Sequence, residues 1–158
     1  MAGIGLSKIG EAAKNSVIGV IKGTGEVASA IVETTKNILT GAVGGVAEVA
    51  VATEKAVGDI LAGAVEAASE TGQDVGMAIK SSVKGVVKGA SEVGADVGKT
   101  AVAAVDGAVK AAGKIGGDTA KALEQATTGA IEAAEEIGSD TAEAVREVLK
   151  TTFKGKKD

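Results

Sequence analysis

Apolar positions along this chain recur in steps of three and four residues, the spacing that lines one face of an α-helix. In residues 108–129 they are Ala108, Ala112, Ile115, Thr119, Leu123 and Ala126. At about 100° per residue, Ala122, Leu123, Ala126, Ala130, Ala133, Ala134 and Ile137 fall on one half of a helical wheel. Asp118, Lys121, Glu124, Glu132, Glu135 and Glu136 fall on the other. The pattern predicts an all-α chain whose helices are apolar on one half and charged on the other.

A second order lies over the first. Gly19, Gly41, Gly63, Gly85, Gly107 and Gly129 each stand 22 residues after the last. This divides the chain into a partial unit 1–19, six units (20–41, 42–63, 64–85, 86–107, 108–129 and 130–151) and a basic tail 152–158. The second position of every unit is β-branched, as Ile21, Val43, Val65, Val87, Val109 and Ile131. The seventh is acidic in all but one, as Glu26, Glu48, Glu70, Glu92 and Glu136, with Lys114 the exception. Self-similarity at a fixed period is the signature of a repeat architecture.

The period admits two arrangements. Twenty-two residues is twice eleven, and eleven residues close three helical turns at about 3.67 per turn, which suits long, nearly straight helices. Against this, Gly-x-Asp recurs at Gly72/Asp74, Gly94/Asp96, Gly116/Asp118 and Gly138/Asp140. Glycine is favoured just past a helix C-terminus and aspartate at an N-cap. Asp140 with Glu143 has the spacing of a capping box. This arrangement is an up-and-down array of roughly 19-residue helices such as 119–137. Gly85, Gly107 and Gly129 would then lie near mid-helix where neighbours cross. The first two units, with Ala28-Ser29-Ala30 and Ala50-Val51-Ala52 at the same place, lack turn residues and are expected to run as one or two longer helices.

Composition sharpens the picture. Apolar residues make up 45% of the chain, mostly Ala and Val, beside 24 glycines and a single aromatic, Phe153. Small side chains bury little area each and hold a fold only by letting backbones come close. Close-approach pairs are frequent: Gly19/Gly23, Gly41/Gly45, Gly72/Gly76, Gly85/Gly89, Gly94/Gly98 and Gly113/Gly117. Each mid-helix glycine costs about 0.5–1 kcal/mol relative to Ala, so such helices need burial against lipid, other segments or other copies. The candidate assembly or lipid face is Val20, Val27, Ile31, Ile38, Val46, Val49, Val57, Ile60, Val75, Ile79, Val86, Val93, Val97, Ile115, Leu123, Ile137, Val145 and Val148.

The chemistry available is narrow. The chain has no His, Cys, Trp, Tyr or Pro, so the commonest general base, the commonest transition-metal ligands and the thiol nucleophile are missing. No catalytic residue, cofactor or metal site is expected, and no small-molecule substrate. A net charge of −4, with both signs mixed along the chain, argues against nucleic acid. The tail Lys154-Gly155-Lys156-Lys157 is the only basic cluster. Gly23-Thr24-Gly25-Glu26-Val27-Ala28 has the letters of a dinucleotide loop but lies inside a helical unit with no βαβ pattern after it. The pairs Glu135/Glu136 and Asp140/Glu143 are read as solvated helix faces. The N-terminus lacks the basic-then-apolar order of a secretion signal, and the longest apolar run, 38–52, is interrupted by Glu48. The expected location is cytoplasmic or peripheral on an intracellular membrane or granule.

Units such as Thr53-Glu54-Lys55-Ala56-Val57-Gly58 resemble synuclein repeats, and the 22-residue frame over about residues 20–151 is similar to that of exchangeable apolipoproteins, perilipins and group 3 late-embryogenesis proteins. Glycine stands here where apolipoproteins use proline, and the aromatic residues of their helices are missing. The resemblance implies reversible lipid association or protection by folding on demand, and carries over no site residue.

Three functions are therefore carried forward. The first is a structural, non-catalytic helical repeat protein whose partner is itself, assembling into a coat, filament or shell. The second is a peripheral protein of a lipid, membrane or storage-granule surface. The third is a disordered stress-protective chain.

Overall fold

The structure is a computed structural model that describes residues 6–23, 25–44 and 49–154. Seven α-helices are present among them: α1 (Lys8–Lys22), α2 (Val27–Val43), α3 (Val49–Thr71), α4 (Val75–Glu92), α5 (Val97–Lys114), α6 (Thr119–Ile137) and α7 (Ser139–Thr152).

The three central breaks are made by Gly-x-Asp. Gly72, Gly94 and Gly116 take φ of 75°, 77° and 77°, a left-handed backbone that favours glycine. The amide just after each of these glycines bonds back to the last turn of the preceding helix: Gln73 to the Ala68 carbonyl at 2.9 Å, Ala95 to Ala90 at 2.9 Å, and Gly117 to Ala112 at 2.7 Å. One residue later the carboxylate of Asp74, Asp96 or Asp118 accepts the amide of Met77, Lys99 or Lys121 at 3.2, 3.0 and 3.0 Å. A helix end and a helix start are thus satisfied within four residues, and α6 spans the 119–137 that the pattern predicts.

Of two expectations, one holds in part and one fails. The first two units, expected to run as one or two longer helices, do not form one: the chain breaks after Lys22, where Gly25 turns at φ 106°, and again at Gly44, so that they hold α2 and the 23-residue α3. The signal there is glycine alone, with Glu26 as an N-cap whose side chain caps no backbone amide and accepts only the Ser29 hydroxyl. Asp140 is not a cap either. Helix α6 runs on to Ile137, extended Gly138 (φ 166°) serves as both its C-cap and the N-cap of α7, and Asp140 falls in the first turn of α7. Its charge there still meets the positive end of the helix.

The helices form two layers. Contacts link α1 to α3, α3 to α5 and α5 to α7 on one side, and α2 to α4 and α4 to α6 on the other; each helix also touches its neighbour in sequence. Helices two apart run in the same direction, because their contacts advance together: Lys14 reaches Glu66 and Glu70, and Lys80, Lys84 and Lys88 reach Glu132 and Glu136. Helix α4 has neighbours on every side, and Ile79, Val83, Val86 and Val87 in it are buried with Ala78 and Ala90. No helix among the described residues is long and apolar enough to cross a membrane.

Candidate functional site

The repeat glycines are where the layers close. An ideal Cβ built on Gly63 in α3 would overlap the Gly10 carbonyl oxygen of α1 and come within 2.9 Å of the Lys14 nitrogen. One on Gly85 in α4 would overlap Thr35 Oγ1 and lie 2.5 Å from the Val32 carbonyl of α2. One on Gly129 in α6 would overlap the Lys80 carbonyl of α4. Gly107 in α5 is looser, with Gly58 Cα of α3 at 3.3 Å. Each of these glycines therefore lies against the backbone of the helix two positions earlier, and at Gly63, Gly85 and Gly129 any side chain would push the pair apart. Of the close-approach pairs, Gly85/Gly89 straddles such a crossing, with the Lys36 carbonyl 3.1 Å from the place of a Gly89 Cβ.

Gly19 and Gly41 belong to the same series but have nothing within 4 Å of the place a Cβ would occupy, and both are exposed. They sit in α1 and α2, which among the described residues have no helix two positions before them. Neither glycine makes, among the described residues, the contact that closes the others.

The expected apolar face divides by burial. Ile31, Val57, Ile60, Ile79, Val86, Leu123 and Val145 are buried inside the chain. Val20, Val27, Ile38, Val75, Val93, Val97, Ile115 and Val148 are half-buried, and Ile137 is the one large exposed hydrophobic among the described residues. Val46 and the side chain of Val49 lie outside the described residues. Most of the stripe is thus covered by neighbouring helices of the same chain. The pattern understates the core, since Leu39, Leu61, Val83, Val87 and Val105, off the apolar stripe, are also fully buried. Inner helices touch neighbours on more than one side, so a one-sided stripe underestimates what they bury.

Charges follow the same geometry. Earlier helices supply lysine and later helices supply glutamate: Lys14 to Glu66 and Glu70 at 3.3 and 2.7 Å, Lys36 to Glu92 at 3.2 Å, and Lys84 and Lys88 to Glu136 at 2.7 and 2.9 Å. The hydrogen bond from Lys84, and then that from Lys88, hold the Glu136 carboxyl below its ordinary pKa. Lys14 does the same for Glu70. Arg146 of α7 pairs with Glu135 of α6. The carboxylate pair Glu135/Glu136 is therefore occupied by cations of this chain. No group of three or more potential metal ligands forms among the described residues.

Several concave surfaces remain. A groove of about 780 Å³ crosses α3, α5 and the end of α7, floored by small residues such as Gly58, Ala62, Ala103 and Gly107 and edged by Asp59, Asp106, Lys99 and Lys110. Its charges are of both signs, and Lys110 and Asp106 bind each other at 2.9 Å. A second hollow of about 360 Å³ lies between α6 and α7, walled by Leu123, Ile131, Leu149 and Phe153. Of the 23–28 motif, Gly23, Gly25 and Glu26 lie between α1 and α2, Val27 and Ala28 open α2, and Thr24 lies outside the described residues; no strand precedes the motif among the described residues. Comparisons with protein-family models, with curated proteins and with solved structures find no match to this chain.

Proposed function

We propose that this chain is a structural, non-catalytic protein, a tandem array of one helix per 22-residue unit, that self-assembles by extending between copies the packing it uses within itself. The observation that carries the reading is the contrast within one glycine series. Gly63, Gly85 and Gly129 are closed by the helix two positions earlier, and Gly19 and Gly41 have no such helix. An array built by stacking like units has two ends at which the stacking surface is left over. The missing catalytic residue types support the non-catalytic part of the reading.

Lipid binding through the apolar stripe would require the helices to separate, because Ile31, Ile60, Ile79 and Val86 are buried against one another's helices. Light scattering after size-exclusion chromatography, with and without anionic vesicles, separates the two. Concentration-dependent growth without lipid, at constant helicity, is the expected result. A monodisperse monomer that binds vesicles and changes its helicity there would replace this reading with the lipid-surface one.

A further inference from the structure

Resting on the self-assembly reading, we infer that the hollow between α6 and α7 is the seat for α1 of a second copy, with Lys22 of that copy paired to Glu124. Every helix from α3 onward contacts the two helices before it: α6 touches α4 and α5, and α7 touches α5 and α6. The next such trough, between α6 and α7, receives no helix among the described residues and is the 360 Å³ hollow.

The register follows from contacts already made. Glu124, Thr128 and Ile131 on the α6 wall stand two repeat lengths after Lys80, Lys84 and Val87 of α4. That α4 surface is the one on which α6 packs: Gly129 lies on the Lys80 backbone, and Lys80 holds Glu132 at 3.3 Å. The incoming helix at this end must therefore bring a bare glycine to the Glu124 turn and a charge three residues later. Helix α1 offers both. Gly19 is open, and Lys22 stands to Gly19 as Glu132 stands to Gly129. The Lys80–Glu132 contact is then repeated with its signs exchanged, as Glu124–Lys22. Both residues are exposed, and neither makes an ion pair among the described residues. On the other wall, Lys150 and Lys154 make the rim basic. Helix α2, which would follow onto that side, is preceded by exposed Glu26, which makes no ion pair among the described residues, while its lysine, Lys36, is held by Glu33 and Glu92 at 3.5 and 3.2 Å. A copy seated in this way keeps its own α6–α7 hollow open, so the contact is heterologous and propagates.

The test uses charge exchange and cross-linking on the full chain, which has no native cysteine. Lys22→Glu and Glu124→Lys should each weaken association, roughly fivefold for an exposed pair. Mixing the two variants, or combining both changes in one chain, should restore it. Lys22→Cys mixed with Glu124→Cys should give a disulfide-linked heterodimer on mild oxidation, and the double-cysteine chain a ladder. Association that persists without coupling or cross-link overturns this seat while leaving self-assembly standing. A wild-type chain that stays monomeric at every concentration overturns both. Circular dichroism of each variant confirms that the fold is intact.

Discussion

Thr35 Oγ1 of α2 occupies the space where Gly85 of α4 would carry its side chain. The hydroxyl donates to the Ile31 carbonyl at 2.9 Å, so it is held within its own helix and does not move aside freely. A buried polar group is thus satisfied and a helix crossing is closed by one glycine. Gly85→Ala should destabilise the fold by about 1–3 kcal/mol, the usual cost of overpacking. Gly129→Ala, which meets the Lys80 backbone, should cost at least as much. Denaturant unfolding with an unchanged slope is the check, and a neutral Gly85→Ala would place the helices further apart than described.

The open glycines should respond with the opposite sign. Gly19→Ala has space for its methyl group and removes a mid-helix glycine, so it should raise monomer stability by about 0.5–1 kcal/mol. Thermal unfolding at low concentration measures this. If Gly19→Ala destabilises, α1 has a neighbour that the structure does not contain.

The turns give a graded series. Asp96→Ala removes the acceptor of the Lys99 amide and should cost about 1 kcal/mol. Gly94→Ala forces a side chain into φ 77° and should cost about 1–2 kcal/mol. Asp140→Ala should cost less than Asp96→Ala, because Asp140 is not a cap and contributes only through the helix dipole. Equal losses at Asp96 and Asp140 would restore the capping box at 140–143.

Stability should be nearly flat from about pH 6 to 9, because the chain has no His or Cys. The Glu136 carboxyl is held below its ordinary value by Lys84 and then Lys88, so its stabilisation is present above the unfolded carboxylate pKa, about 4.3. It is lost as pH falls through the lower folded value. Lys84 is raised by the same bond, so its share is lost only as pH climbs through and above the usual lysine range. Unfolding midpoints against pH should decline on the acid side, and Glu136→Gln should blunt that decline. A midpoint that changes sharply between pH 6 and 8 would contradict this.

Helical class and the central turns were legible because they rest on local chemistry: a left-handed glycine at 72, 94 and 116, and an aspartate two residues on, are written in adjacent letters. The breaks at Gly25 and Gly44 were not, because glycine without a capping side chain is common throughout this composition. The buried Leu39, Leu61 and Val83 were missed for a different reason. A helical wheel assumes one buried face, and in two layers the inner helices bury more. The close-approach role of Gly85 was legible as a spacing, but the difference between Gly85 and Gly41 was not. The two occupy the same column of the sequence and differ only in whether a helix lies two positions before them.

That difference is the centre of the account, and sedimentation velocity across a wide concentration range tests it most directly. Wild type is compared with a chain carrying Gly19→Gln and Gly41→Gln, polar helix-forming residues too large for a backbone-to-backbone crossing. The account predicts larger species with rising concentration for wild type, and a monomer of equal or greater thermal stability for the double variant. A wild-type monomer throughout, or a double variant that assembles as wild type does, would contradict it.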